Sequence, residues 1–84
     1  MAKRVIWSDE ATADIRRIDR ETALQLLKSI DRFLKTDVGD QKQLQGFYPP
    51  TFRLRYGTWR VIFRHEGEGA IKILHVRHRR EAYR

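Results

Sequence analysis

The stretch Phe52-Arg53-Leu54-Arg55-Tyr56-Gly57-Thr58-Trp59-Arg60-Val61-Ile62-Phe63 alternates apolar and cationic residues on both sides of a glycine. A period of two is the mark of a strand. Gly57-Thr58 suits a two-residue hairpin turn with glycine at its first central position. That turn pairs Tyr56 with Trp59, Arg55 with Arg60, Leu54 with Val61, Arg53 with Ile62 and Phe52 with Phe63. Paired residues share a face. Phe52, Leu54, Tyr56, Trp59, Val61 and Phe63 therefore need cover, whereas Arg53, Arg55, Arg60, Ile62 and Arg64 form a face that stays open. The chain has to build a sheet that is covered on one side only.

The cover is encoded upstream. Lys3 to Trp7 reads as a short first strand. Ser8, followed by Asp9 and Glu10, is an N-cap with acids at the positive end of a helix dipole. Ala11, Ile15 and Ile18 recur at helical spacing; Ala23, Leu27, Ile30 and Leu34, flanked by Leu26 and Phe33, continue it to about Thr36. The result is a helical hairpin turning near Asp19 to Glu21. Val38 to Pro50, with Gly39, Gly46 and two prolines, reads as loop. A second turn lies around Gly67-Glu68. With two residues in that turn, Val61 opposes Leu74, Arg60 opposes His75, and Ile71, Ile73, His75 and Arg77 join the arginine face; an odd loop length reverses the last strand. The expected architecture is α+β: an N-terminal strand, a helical hairpin, then antiparallel strands in one sheet with the helices on one face. Residues 1–84 form a single domain.

Charge then points to a partner. The 84 residues carry a net charge of +7, a field that gathers polyanions. Residues 51–84 hold eight arginines and one lysine against three glutamates, so the second half carries the field. Nucleic acid is the expected partner. With no cysteine, a disulfide framework, a thiol nucleophile and a cysteine-based zinc site are excluded, and a reducing cytoplasm is the expected compartment. No apolar run approaches the ~20 residues that span a bilayer, and the first residues lack the apolar core of a signal peptide, so no membrane partner is expected.

The chemistry-bearing residues cluster accordingly. Arg53, Arg55, Arg60, His75, Arg77 and Arg79 fall on the open face. Like charges on neighbouring strands repel, and only Glu66, Glu68 and Glu81 stand near in sequence, so phosphate is the expected counter-charge. His75 and His78, as imidazoles, are candidates for proton transfer. Their spacing puts them on opposite faces, and no third ligand accompanies them, so no metal site is expected. Tyr83, after Arg77-His78-Arg79-Arg80-Glu81-Ala82, is a candidate for stacking on RNA. No phosphate-binding glycine loop or dinucleotide turn occurs, and no cofactor is expected.

The order of these features, with Leu44-Gln45-Gly46, the hairpin from Phe52 to Phe63 and the ending His78-Arg79-Arg80-Glu81-Ala82-Tyr83, resembles the RelE toxins of the RelE/ParE superfamily. The resemblance spans nearly the whole chain. It implies a RelE-like β-α-α-β-β-β fold and the toxin half of a toxin–antitoxin pair. The implied activity is a ribosome-dependent endoribonuclease that cuts mRNA in the A site without a metal, by attack of a 2′-hydroxyl. It further implies that Arg53 holds substrate phosphate, that Arg60 stabilises the phosphorane, and that Arg79 and Tyr83 act at the leaving and attacking oxygens. Arg55, His75, Arg77, His78 and Arg80 are the accompanying RNA-binding candidates. Thr51 departs from the pattern, standing where some members carry a further basic residue. The implied partners are a cognate antitoxin, mRNA and the ribosome, the toxin being monomeric when free and hetero-oligomeric with its antitoxin. The alternatives are a ParE-like inhibitor of DNA gyrase and a relative that binds RNA without cutting it.

Overall fold

The computed structural model describes residues 4–79. Its elements are β1 (Arg4–Trp7), α1 (Asp9–Arg17), α2 (Arg20–Thr36), β2 (Asp40–Leu44), β3 (Thr51–Tyr56), β4 (Trp59–His65) and β5 (Ala70–His78). One sheet has the order β1-β5-β4-β3-β2. β1 runs parallel to β5, and the other neighbours are antiparallel. The helical pair thus carries the chain from one edge of the sheet to the other.

α1 begins at the expected cap, Ser8, and α2 at a cap the sequence reading left within the turn, Asp19. Ser8 Oγ accepts the Ala11 N–H at 3.0 Å, with Asp9 and Glu10 in the first turn. Asp19 accepts the Thr22 N–H at 2.9 Å and opens α2. The break between the helices is therefore Ile18-Asp19, at the start of the expected turn.

The core lies between the helices and one face of the sheet. Ala11, Leu26, Ile30, Phe33 and Leu34 meet Leu54, Val61, Phe63, Ile71, Ile73 and Val76. Phe63 is fully buried, with its ring centroid 5.5 Å from Phe33 and 5.6 Å from Phe52. Burying such a side chain stabilises the fold by roughly 1.5–3 kcal/mol. Of the expected stripe of α2, Ile30 and Leu34 are buried together with the flanking Leu26 and Phe33, whereas Leu27 is 40% exposed.

The first hairpin has the expected register at every pair from Phe52↔Phe63 to Tyr56↔Trp59, and Gly57 takes a φ of 57° in the turn. Two expectations are corrected. Asp40–Leu44, read as loop, is an edge strand paired with β3. Its sequence Asp-Gln-Lys-Gln-Leu has no apolar alternation, because an exposed edge strand is held by its backbone ladder rather than by a buried face.

The second correction concerns β5. Glu66 N–H bonds to Ala70 O at 3.0 Å, so the loop is Gly67-Glu68-Gly69, an odd length that turns Ile71 and Ile73 into the core instead of onto the arginine face. The register then shifts. Phe63 opposes Ile73 but Ile62 opposes His75, leaving Leu74 as the extra residue of a bulge. The bulge reverses the parity again, so His75 and Arg77 return to the open face. Val61 opposes Val76, and Arg60 opposes Arg77.

Candidate functional site

The face away from the helices collects Arg53 and Arg55 from β3, Arg60, Ile62 and Arg64 from β4, and Lys72, His75 and Arg77 from β5; Lys42 and Asp40 on β2 extend it. Ile62 is only 5% exposed, yet its neighbours on this face are Arg53, His75, Arg60 and Arg64. An isoleucine so buried at the centre of a cationic surface needs cover, which long arginine stems are able to give. The side chain of Arg53 is itself 14% exposed. Its Nε is shielded from solvent and finds no hydrogen-bond acceptor among the described residues.

The expectation that only Glu66, Glu68 and Glu81 stand near these arginines is corrected by two further carboxylates. Asp40 Oδ2 lies 2.7 Å from Arg55 Nε, and Asp40 Oδ1 lies 3.7 Å from Arg53 Nη2. Arg77 Nε donates to Asp14 Oδ2 at 3.1 Å. Both acids come from segments distant in sequence, α1 and the unforeseen strand β2. Arg60 instead folds back on the hairpin turn, its Nη1 donating to Gly57 O and Trp59 O at 3.1 Å each. Arg79 follows the end of β5, exposed, with its N–H bonded to Thr58 O at 2.7 Å. The turn thus brings together the Arg60 guanidinium and the Arg79 backbone.

The two histidines part as their spacing requires. His78 opposes Trp59 on the helix side, with ring centroids 5.5 Å apart and the rings edge-on. It lines a cleft of about 190 Å³ with Asp14, Arg17, Ile18, Trp59, Val76 and Arg77. His75 lies on the open face, its Nδ1 3.1 Å from Arg77 Nη2 and 3.3 Å from Glu10 Oε2. Arg80 and Tyr83 lie outside the described residues.

Glu10, Asp14 and Asp40 are the site-shaping residues that sequence reasoning missed. Asp14 left a signal: it stands between Ala11 and Ile18 on the apolar stripe of α1, where a carboxylate needs partners.

An open five-stranded sheet covered by a helical pair on one face is a fold shared with solved RelE toxins. The chain is similar to the toxin–antitoxin complex RelBE2 from Mycobacterium tuberculosis (TM-score 0.80, 21% identity, covering 93% of this chain and 99% of that one). It is similar also to the archaeal RelE–RelB complex from Pyrococcus horikoshii (TM-score 0.76, 24% identity, 98% and 100%). A mutant of the Escherichia coli toxin RelE in the free state has the same fold (TM-score 0.76, 16% identity, 98% and 88%). No curated protein matches. A family model, the ParE toxin of the type II toxin–antitoxin system parDE, matches residues 5–83. The chain belongs to this family of toxins within the RelE/ParE superfamily. Among the described residues, no helix is long and apolar enough to cross a membrane.

Proposed function

We propose that this toxin is a ribosome-dependent endoribonuclease that acts on mRNA in the cytoplasm and is held in check by a cognate antitoxin. The observation that carries this reading is the strand register that gathers Arg53, Arg55, Arg60, Arg77 and His75 on one open face. Guanidinium groups bind phosphate through paired hydrogen bonds. They also suit the charge that develops when a 2′-hydroxyl attacks its own phosphate. In this reading Arg53 and Arg60 hold the phosphate and the phosphorane, with Arg79 and Tyr83 at the oxygens that leave and attack. Arg55, Arg77 and Arg80 bind the flanking RNA, whereas His78, turned to the helix side against Trp59, falls outside that face. The ribosome supplies in-line positioning, which a small, shallow face does not supply alone.

The test is a cell-free bacterial translation reaction with and without the toxin, with mRNA ends mapped by primer extension and naked RNA run in parallel. Cuts at codon positions on translated message alone are the expected result, and Arg60→Ala should lower the rate by about 100-fold. Intact message rejects the reading.

One observation favours a second reading, gyrase inhibition of the ParE kind. Asp40 and Asp14 already pair with three of the arginines, as suits a face that meets protein rather than phosphate. Inhibition of supercoiling by purified gyrase, with message left intact, would select it.

A further inference from the structure

Arginine can hold a phosphorane, but its guanidinium stays protonated and cannot take a proton at neutral pH. A cleavage face of arginines therefore lacks an acceptor for the proton of the attacking 2′-hydroxyl. Among the described residues, the open face carries one imidazole, that of His75.

Its surroundings are those of a proton carrier. Nδ1 lies 3.3 Å from Glu10 Oε2 and 3.1 Å from Arg77 Nη2. One nitrogen cannot serve both at once: it needs a hydrogen to bond the carboxylate and a lone pair to accept from the guanidinium. The ring thus has two states. With Nδ1–H on Glu10, Nε2 holds a lone pair; with Nδ1 accepting from Arg77, Nε2 carries the hydrogen. The side chain is 35% exposed, so the ring is within reach of a substrate on that face.

We propose that His75 is the general base of the cleavage reaction and that Glu10 is its positioning residue; this rests on the ribonuclease reading above. The 2′-oxygen bonds to phosphorus as its proton passes to Nε2. The bond from phosphorus to the 5′-oxygen breaks, the 5′-oxygen takes a proton from water, and a 2′,3′-cyclic phosphate remains. Nδ1–H on Glu10 stabilises the imidazolium while it lasts, and His75 then returns its proton to solvent. The charged groups against the ring are Glu10 and Asp14 from α1 and Arg77 on β5, and Arg60 and Arg64 flank its cross-strand partner Ile62 on β4.

The experiment measures single-turnover cleavage on mRNA-programmed ribosomes, with toxin in excess, across pH 5.5 to 9. It compares wild type, His75→Gln, Glu10→Gln and the turn variant Glu68→Gln, with ribosome binding measured in parallel. Wild type and Glu68→Gln should show the same rate rising with pH to a plateau. His75→Gln should cleave at least about 100-fold more slowly and lose the rising limb, with ribosome binding unchanged. Glu10→Gln should slow cleavage about tenfold and move the limb to lower pH, which a merely structural contact would not do. A His75→Gln rate within threefold of wild type, with the limb intact, overturns the proposal. Glu10 is exposed, so its variant folds whatever His75→Gln does, and an unmoved limb in Glu10→Gln overturns the proposal by itself. Wild type that leaves the message uncut overturns the ribonuclease reading and this inference together, whereas cleavage independent of His75 overturns the inference alone.

Discussion

Asp14 Oδ2 accepts the backbone N–H of Val76 at 3.0 Å, so a helix carboxylate stands where a neighbouring strand would otherwise pair. β1 accompanies β5 only as far as Ile73, and β5 runs on to His78. The same carboxyl group holds Arg77 and Arg17 while only 3% exposed. Asp14→Ala leaves a buried N–H without an acceptor and two guanidiniums without their anion. It should destabilise the domain by roughly 3 kcal/mol in urea unfolding. Asp14→Asn, which retains an acceptor oxygen, should lose less. Equal losses would mean that charge, and not the strand-edge hydrogen bond, carries the effect.

Asp40 opposes the field of the arginine face from the β2 edge, paired with Arg55 and Arg53. Asp40→Asn should tighten binding of single-stranded RNA at low salt by several-fold. It should also steepen the dependence of log affinity on log salt by up to about 0.7 for each further phosphate that the face neutralises. Arg55→Ala should do the opposite. Stability should change by less than about 1 kcal/mol in either variant, because the pair is half exposed. Fluorescence anisotropy over a salt series reads both effects, and an unchanged slope in Asp40→Asn would show that Asp40 does not compete with phosphate.

Gly39 sits where a side chain does not fit. A Cβ there would stand 2.7 Å from Leu54 Cδ1 and 3.4 Å from Phe33 Cδ1, and Leu54 is only 2% exposed. Gly39→Ala should cost about 1–3 kcal/mol. Because the obstruction is a leucine methyl, the same substitution in a Leu54→Val background should cost less. A double-mutant cycle in denaturant measures the coupling, and strict additivity would exclude this contact as the cause.

The Asp19 carboxyl is held below its usual 3.8, first by the Thr22 backbone N–H and then by the Thr22 side chain. A lowered value in the folded state means that the charged cap contributes stability above the ordinary carboxylate range. That contribution disappears as pH falls through the lowered value. Thermal midpoints of wild type and Asp19→Asn should therefore converge as pH drops from about 5 to about 2. A gap that stays constant over this window would show that the cap does not depend on ionisation.

The sequence was most legible where local rules act alone. Gly57-Thr58 and the alternation around it set the β3–β4 register correctly, and Ser8 was a recognisable cap because capping is local, as was the position of the turn at Asp19. β5 shows where such reading stops. The loop Gly67-Glu68-Gly69 and the bulge at Leu74 each shift parity by one residue, and neither shift is written in side-chain pattern. They cancel beyond Leu74, which is why His75 and Arg77 fell on the expected face while Ile71 and Ile73 did not. The pairing of Asp14 with Val76 joins residues 62 positions apart, a tertiary contact of which composition and periodicity hold no record. The polar strand β2 was invisible for a related reason, since its partner, not its sequence, makes it a strand.

The bulge also bears on which changes of chain length the fold can absorb. Without Leu74, Ile73 would still face the helices and His75 the open surface, so both faces would survive the deletion. The Leu74 carbonyl, however, accepts the Ser8 hydroxyl at 3.0 Å, across 66 positions of sequence, and the same Oγ caps α1 by accepting the Ala11 N–H. A residue dispensable for the pattern of the strand is thereby tied to the start of the helix. Shortening β5 by one would be felt first at the opening turn of α1, the turn that carries Glu10.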